Sequence, residues 1–360
     1  MKITDVECLI LDRQFPFVRV YTDEGLVGIG ECFRRQPQTI KTLVEDYLTP
    51  ALMGKDPLDT EVLWRDMFRA ASASDMGGAV YCAIAGLDIA LWDLKGKALG
   101  VPIYKLLGGK ARDKVRMYAS SMRRDLTPIE EARRAASFVE EGYSAYKLHS
   151  AVPGGMDDPA DETIATVREV RTAVGDDIEI LVDVNGAFST HHAIEIGEKL
   201  QDLGVFHFEE PRPHYDLDGL ATVADALTMP VASGEMIYTH WQYRDLILQG
   251  KVDIIQPDIV KVPGFTEFQK IAALCSAFGK PMTVHNTQPT ISTVAHLHVC
   301  AAYPHIPYAQ EYNIEPTSIR DELPILKEPL EVKGGYLDVP EGPGLGVELD
   351  EGMVRRLMER

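Results

Sequence analysis

The feature that most constrains the fold is a regular alternation of short β-rich runs with amphipathic helical segments after residue 112. Alternation of this kind is typical of parallel βα units. The β-rich runs are residues 115–120, 145–150, 178–185, 205–211, 230–235, 254–259, 281–286 and 308–313. Because eight units follow one another without a Gly-rich dinucleotide loop after the first, we predict an α/β protein with a modified (β/α)8 TIM-type barrel, whose last unit is irregular.

The first 112 residues have a different pattern. Strand-like alternation and the turn Asp23-Glu24-Gly25 predict an antiparallel meander over residues 3–31, and helical periods follow in residues 39–52, 60–71 and 78–100. This order indicates an α+β unit. We therefore predict three parts, which are an N-terminal α+β domain (1–112), a barrel domain (113–320) and a C-terminal segment that packs back on the N-terminal domain (321–360).

The net charge of the chain argues against some classes of ligand. The chain carries 55 acidic and 36 basic residues and a net charge of −19, which would repel nucleic acid and anionic membranes. An anionic ligand would therefore need local positive charge from Lys, Arg or a metal. The five cysteines are scattered without a CxxC pair, and no apolar stretch approaches membrane-spanning length. We expect a cytoplasmic protein.

Three carboxylates follow successive barrel strands. Asp183, Glu209 and Glu235 are each separated by 26 residues, which is about one βα repeat. They should converge at the C-terminal face of the barrel, where such enzymes place their active sites. Like charges at close range require a cation, and an oxygen-only set indicates Mg²⁺, or Mn²⁺. The alternative is that each acid caps the following helix. Asn185 is a candidate substrate or ligand contact on the same face, or a plain turn residue.

The series of ionisable strand ends continues with Asp258, His285 and Glu311. A carboxylate beside an imidazole orients the ring and raises its basicity, so the first two are a candidate general-base pair. The second strand supplies Lys147 and His149, which alternate onto the barrel interior. Lys147 could balance charge or bind an anionic substrate, and His149 could be a second acid or base opposite His285. A structural role at the strand end is the alternative for both.

These residues lie in motifs that resemble the enolase superfamily, and specifically its mandelate racemase subgroup. The resemblance spans nearly the whole chain and rests on the segments VRVYTDEGLVGIGEC, AIAGLDIALWDLKGKALGVPIYKLLGG, DVN, EEP, SGE, QPD, VHN and EYN. It implies that the N-terminal domain caps the barrel.

The same resemblance implies roles for the candidate residues. One Mg²⁺ would be held by Asp183, Glu209 and Glu235. His285 backed by Asp258 would be the general base, and Glu311 would be an electrophile or proton donor, which requires it to be protonated; we expect crowding by other carboxylates to favour that form.

One departure from the subgroup concerns the second strand. Many members have Lys-x-Lys there, whereas this chain has Lys147 and His149. This departure weakens the direct transfer of racemase activity. A competing subgroup uses a lysine base on the sixth strand, which would be Lys261, but the QPD and VHN motifs favour the Asp258–His285 pair.

The resemblance implies Mg²⁺-assisted removal of the proton α to a carboxylate. We predict dehydration of an acid sugar, an aldonate or aldarate, to a 2-keto-3-deoxy acid through an enediolate. Racemisation or epimerisation of a 2-hydroxy acid is the alternative, and a non-catalytic binding protein is a third possibility. Arg34 and Arg35 are candidate contacts for the distal end of the substrate. The expected partner is a small-molecule carboxylate, and we expect a homo-oligomer.

Overall fold

A computed structural model describes residues 1–72, 77–151 and 156–360. The N-terminal part forms an antiparallel sheet in the order β1-β2-β3, which confirms the predicted meander. Its strands are β1 (Ile3–Leu11), β2 (Phe15–Thr22) and β3 (Val27–Glu31). The second strand begins at Phe15, because residues 15–17 pair with the end of β1.

Helices cover one face of this sheet. They are α1 (Pro37–Thr42), α2 (Thr60–Ser72), α3 (Ala79–Leu99) and the short α4 (Ile103–Leu106). The predicted helix 39–52 instead continues from α1 through a π-helical stretch, Leu43–Leu48, and a 3₁₀ turn, Thr49–Ala51. Sixteen of the 21 residues of α3 are buried, as expected for a helix that is apolar on most of its surface.

Two glycines allow β3 to approach α3 closely. A Cβ atom on Gly30 would lie 2.0 Å from the Gly86 carbonyl oxygen, and one on Gly28 would lie 2.1 Å from the Ala90 carbonyl oxygen. Only glycine can occupy these positions without moving the helix. The end of β3, including Glu31, is thereby fixed against α3 and directed toward the barrel.

The second part is a barrel of parallel strands. Within the described residues, the parallel order is β10-β4-β5-β6-β7-β8-β9. The strands are β4 (Lys114–Ser121), β5 (Ala145–His149), β6 (Glu179–Asp183), β7 (His207–Glu209), β8 (Val231–Ser233), β9 (Ile254–Ile255) and β10 (Gln310–Asn313). The helices between them are α5 (Pro128–Glu140), α6 (Thr163–Val174), α7 (Thr190–Asp202), α8 (Leu217–Ala226), α9 (His240–Asp245), α10 (Gly264–Ala277) and α11 (Ile291–Ala302).

The predicted seventh strand, residues 281–286, lies in its expected place but forms only a single bridge, between Ile255 and Met282. On the β9 side its backbone is bonded, since the Thr283 amide donates to the Ile255 carbonyl. On the β10 side a side chain replaces the ladder, because the Val284 amide donates to Gln310 Oε1 at 2.7 Å. The prediction of a regular strand was therefore wrong, although the segment completes the ring.

Several barrel strands are also shorter than their β-rich runs. Asn185, two residues after the end of β6, and Glu210, directly after β7, have φ of 42°, in the left-handed region. This backbone conformation ends the extended run. The residues at and just after the strand ends consequently turn over the barrel mouth.

The C-terminal segment contacts both parts. Strand β11 (Tyr336–Asp338) pairs antiparallel with β4, and helix α12 (Glu351–Met358) lies against β1. Arg19 of β2 forms a bidentate bond with Glu351 at 2.9 Å. The division of the chain at residues 112 and 320 stays a prediction. In the described part of the chain, none of the helices has the length and apolar character needed to cross a bilayer.

His298 on α11 provides a test of this packing. Its Nδ1 accepts from the Tyr104 amide and its Nε2 faces the Leu345 carbonyl at 3.0 Å, so it joins the N-terminal part to the C-terminal segment. Burial lowers the pKa of His298 from 6.5 to about 4. The unfolded chain therefore binds a proton at a higher pH than the folded chain, and the stability contribution is present above pH 6.5 and lost as the pH falls toward 4.

We predict that lowering the pH from 7 to 5 reduces the free energy of unfolding by about 2 kcal/mol through His298. Urea unfolding at both pH values should show a smaller pH dependence in His298→Gln than in the wild type. His191→Gln, which alters an exposed histidine, should keep the wild-type dependence. An identical pH dependence in all three proteins would contradict the assignment.

Candidate active site

A cavity of about 580 Å³ lies between the N-terminal part and the C-terminal ends of the barrel strands. Barrel residues with candidate roles and residues of the N-terminal part both line it. The members used below are Phe33, Arg34, Arg35, Cys82, Arg124, His149, Asn185, Glu210, Glu235, Lys261 and His285. This size is typical of a small-molecule site.

Lys147 lies beneath this cavity, fully buried among three carboxylates. Its Nζ is 2.8 Å from Glu311 Oε1, 3.0 Å from Glu209 Oε1 and 3.6 Å from Asp183 Oδ2. Burial alone would lower the pKa of Lys147, but the surrounding carboxylates hold it well above its usual value. Lys147 is therefore a permanent cation in this structure.

Strand register brings these groups together. Asp183 and Glu209 are paired residues on β6 and β7, and His149 on β5 is paired with Asp183. His149 Nε2 lies 3.0 Å from Asp183 Oδ2, and its Nδ1 lies 2.6 Å from the Ser121 carbonyl. Because a carbonyl can only accept, Nδ1 carries a proton and the ring orientation is fixed.

His285 lies between two carboxylates. Its Nδ1 is 2.7 Å from Asp258 Oδ2, and its Nε2 is 2.5 Å from Glu235 Oε2. Burial opposes protonation, but Glu235 and Asp258 raise the pKa of His285 to about 10. The sequence-predicted Asp–His pair is thus present as a geometric contact, and Nε2 faces Glu235, which lines the cavity with His285.

Glu311 differs from the expectation of a protonated acid. It accepts hydrogen bonds from Ser120 Oγ and the Asn286 amide, both at 2.7 Å, in addition to the contact with Lys147. Burial would raise its pKa, but Lys147 and His285 lower the pKa of Glu311 to about 2. The expectation that crowding protonates Glu311 was wrong, because two hydrogen-bond donors and the Lys147 ammonium group favour the carboxylate.

Negative charge is in excess at this end of the barrel. The buried carboxylates here belong to Asp183, Glu209, Glu210, Glu235, Asp258 and Glu311. The buried lysines among them are Lys147 and Lys261. Burial and the repulsion of Asp183 raise the pKa of Glu209 to about 8, and burial together with Glu235 raises the pKa of Glu210 well above its usual value.

The side chains at this end of the barrel suit a metal ion by the type of their donor atoms and not by their present arrangement. Over residues 1–72, 77–151 and 156–360, no group of three or more His, Cys, Asp or Glu side chains is arranged to hold a metal. Glu235 is turned to His285, and Glu209 to Lys147. The oxygen-only set of Asp183, Glu209 and Glu235 nevertheless suits Mg²⁺, and the buried Asp183 Oδ2 accepts no hydrogen bond of standard geometry. Binding would require Glu235 to leave His285.

Lys261, the alternative base, also lies at the cavity. Its Nζ is 3.7 Å from Glu235 Oε1 and 4.8 Å from the centre of the Phe33 ring. Burial would lower its pKa, but Glu235 and Asp258 raise the pKa of Lys261. A base must be unprotonated, so this environment does not favour Lys261 in that role.

The remaining predicted contacts line the same cavity. Arg34 is half-buried, and its Nη1 donates to the Thr287 carbonyl at 3.1 Å. Arg35 is exposed. The backbone N–H of Asn185 donates to Asp183 Oδ1 at 2.9 Å, and the side-chain oxygen of Asn185 accepts from Arg124. The structure therefore brings all the predicted site residues to the cavity or to the layer beneath it.

Sequence reasoning missed three groups. Glu210 lines the cavity, and its buried Oε1 has no hydrogen-bond partner among the described residues. Its position next to Glu209 in the EEP motif was the available signal. Arg124 follows the first barrel strand, but its run Arg123-Arg124-Asp125 looks like a solvated loop. His207 is fully buried on the barrel interior, and its Nε2 lies 3.5 Å from Glu209 Oε2.

Family comparisons agree with this architecture. Residues 10–108 match the mandelate racemase / muconate lactonizing enzyme N-terminal domain, and residues 130–353 match the enolase C-terminal domain-like family. The chain belongs to the enolase superfamily, in its mandelate racemase subgroup. The capping domain and the barrel predicted from sequence are those of this family, whose members generally use Mg²⁺.

Similar relatives include enzymes that act on acid sugars. An arabinonate dehydratase from Saccharolobus solfataricus is 33% identical and aligns over 93% of this chain and 88% of that protein. A D-xylonate dehydratase from Haloferax volcanii is 35% identical over 97% of this chain and 87% of that protein. A D-galactarolactone cycloisomerase from Agrobacterium fabrum is 33% identical over 97% of each chain.

A solved structure of a mandelate racemase/muconate lactonizing protein from Paracoccus denitrificans, complexed with magnesium, is also similar. It is 35% identical, with a TM-score of 0.91, and the match covers 99% of this chain and 96% of that chain.

The role of Lys147 as the central cation can be tested by stability. Lys147→Met leaves three buried carboxylates without their shared partner, so we expect the free energy of unfolding at pH 7 to fall by about 3–5 kcal/mol. Lys251→Met, which breaks an exposed ion pair with Asp225, should have a much smaller effect. Equal effects of the two substitutions in urea unfolding would contradict this role.

Proposed function

We propose that this chain is a hydro-lyase that dehydrates an acid sugar to a 2-keto-3-deoxy acid through an enediolate. The observation that carries the proposal is the Asp258–His285 pair, which opens on a small-molecule cavity above a buried cluster of carboxylates and Lys147. Membership of the enolase superfamily and similarity to arabinonate and xylonate dehydratases support it.

The proposal includes a magnesium ion held by Asp183, Glu209 and Glu235. When bound, Mg²⁺ supplies a positive charge that stabilises the negative charge developing on the substrate carboxylate. The raised pKa of Glu209 supports a cation site. Burial and neighbouring carboxylates disfavour the charged form of Glu209, and a bound cation would stabilise that form. Lys147 adds a fixed positive charge from below.

His285 is the proposed acceptor of the α-proton once Glu235, whose contact raises the pKa of His285 to about 10, has left it for the proposed metal site. The bond from its Nδ1 to Asp258 orients the ring, and Nε2 is the atom on the cavity side. Asp258 Oδ1 in turn accepts from the Val260 amide at 3.0 Å, so the carboxylate itself is held in place. A positioned base of this kind contributes roughly 10²–10⁴-fold to the rate.

His149 is the proposed acid on the other side of the cavity. Because Nδ1 is bonded to the Ser121 carbonyl, Nε2 is the atom available to exchange a proton. The α-proton passes to His285, the β-hydroxyl leaves as water with a proton from His149, and the resulting enol becomes the 2-keto-3-deoxy acid. Glu311 acts here as a carboxylate that holds Lys147 with Ser120 rather than as a proton donor.

Racemisation or epimerisation is the second candidate function. It is favoured by one observation, the presence of two histidines, at the second and seventh positions of the ring, which could exchange protons with the two faces of one carbon. The outcomes differ in the product, because epimerisation keeps the β-hydroxyl and dehydration removes it.

We predict that, with Mg²⁺, the wild type forms a 2-keto-3-deoxy acid from at least one member of a panel of aldonates and aldarates. His285→Asn should lower kcat by at least about 100-fold, since the proton acceptor is lost. His191→Asn, on the exposed face of α7, should leave kcat unchanged. Full activity in His285→Asn would refute the base.

The same assay in D₂O separates the alternatives. Exchange at the α-carbon without keto acid would indicate an epimerase. Neither exchange nor product across the whole panel would refute the proposed chemistry and favour a binding protein.

A further inference from the structure

The side chains that line the cavity carry a net positive charge, although carboxylates predominate in the buried layer beneath it. Its charged lining consists of Arg34, Arg35, Arg124 and Lys261 against Glu210 and Glu235. The complete chain has a net charge of −19. Positive charge has therefore been concentrated at one place on a strongly acidic protein, which is expected when the ligand is an anion.

The three arginines have no counter-anion within the described protein. None of them forms an ion pair with a carboxylate of residues 1–72, 77–151 or 156–360, whereas Lys261 lies near Glu235. Arg123, the residue before Arg124, differs from these three arginines. It is paired with Asp125 at 2.5 Å and does not line the cavity. Arg34, Arg35 and Arg124 thus offer charge that the protein itself does not neutralise.

Arg34 is held in position by the loop after His285. Its Nη1 donates to the Thr287 carbonyl, and its amide donates to Gln288 Oε1 at 2.6 Å. The Gln288 side chain also donates to Glu31 Oε1 at 2.6 Å, at the end of β3. The guanidinium is therefore fixed by the capping domain and by the seventh barrel position together.

Arg124 approaches from the other side of the ring. Its guanidinium bonds to Asn185 Oδ1, directly after β6, the third barrel strand. The third and seventh positions of an eight-membered ring are opposite each other. Arg34 and Arg124 therefore line the cavity from two sides.

We infer that Arg34, Arg35 and Arg124 form a subsite for a second anionic group on the substrate, so that the enzyme prefers dianionic acid sugars. The inference rests on the proposed function. That chemistry places the substrate's first carboxylate beside Lys147 and His285, at the reacting end. A simple aldonate has no further charge for the arginines, whereas an aldarate has a terminal carboxylate and a phosphorylated aldonate has a terminal phosphate; Arg matches both groups through bidentate bonds.

The subsite binds a part of the substrate that does not react. Its interactions are equally strong before and during proton removal, so they should act mainly on KM and little on kcat. The loss of one charge-assisted hydrogen bond to the substrate should lower kcat/KM by roughly tenfold or more.

The test compares an aldonate, the aldarate of the same configuration and the corresponding terminally phosphorylated aldonate. We expect the wild type to have a kcat/KM at least about tenfold higher for one of the two dianions than for the aldonate. Arg34→Gln and Arg124→Gln should each remove most of this preference through a higher KM for the dianion. Arg123→Gln, the neighbouring arginine with its own partner, should keep it.

The two dianions distinguish a carboxylate from a phosphate ligand. A wild-type preference for the aldonate, or a preference for a dianion that survives in both Arg34→Gln and Arg124→Gln, would overturn the subsite. These results are distinct from failure of the proposed function, in which none of the three compounds would be dehydrated.

Discussion

The structure depends on how an excess of buried negative charge is balanced at one end of the barrel. Three carboxylates surround the Lys147 ammonium group within 3.6 Å, and two more enclose His285. Moving charged groups from water into the protein interior is costly unless they are paired. Each charged side chain in this cluster therefore depends on its partners to remain charged and buried. Glu209 and Glu210 keep raised pKa values beside these cations, which supports the proposal of a further cation at this end of the barrel.

Parallel strand register explains how distant residues reach this cluster. His149, Asp183 and Glu209 lie on neighbouring strands in one row of paired residues. The capping domain then closes the other side of the cavity, because Glu31 accepts from Gln288 Nε2, in the loop that follows His285, and from the Ser292 amide at the start of α11. The proposed substrate contact, Arg34, and the proposed base, His285, are consequently attached to the same loop.

Sequence spacing was sufficient for the large features. A repeat of about 26 residues between acidic strand ends predicted the barrel and the set of side chains at its mouth, since the βα repeat length is a property of the fold. Residues 281–286 were misread as a regular strand because Gln310 replaces a backbone partner with its side chain, and spacing carries no information on such an exchange. The ionisation of Glu311 was misjudged for a related reason, since the donors that favour its charged form come from Ser120, Asn286 and Lys147 on other elements.

Magnesium binding tests the central claim most directly. Calorimetric titration of the chelator-treated protein with MgCl₂ should show a single ion bound per chain, and Asp183→Asn, Glu209→Gln and Glu235→Gln should each abolish that binding while the protein stays folded by circular dichroism. Absence of binding in the folded wild type, or unchanged binding in all three variants, would contradict the assignment of the excess charge to a metal site.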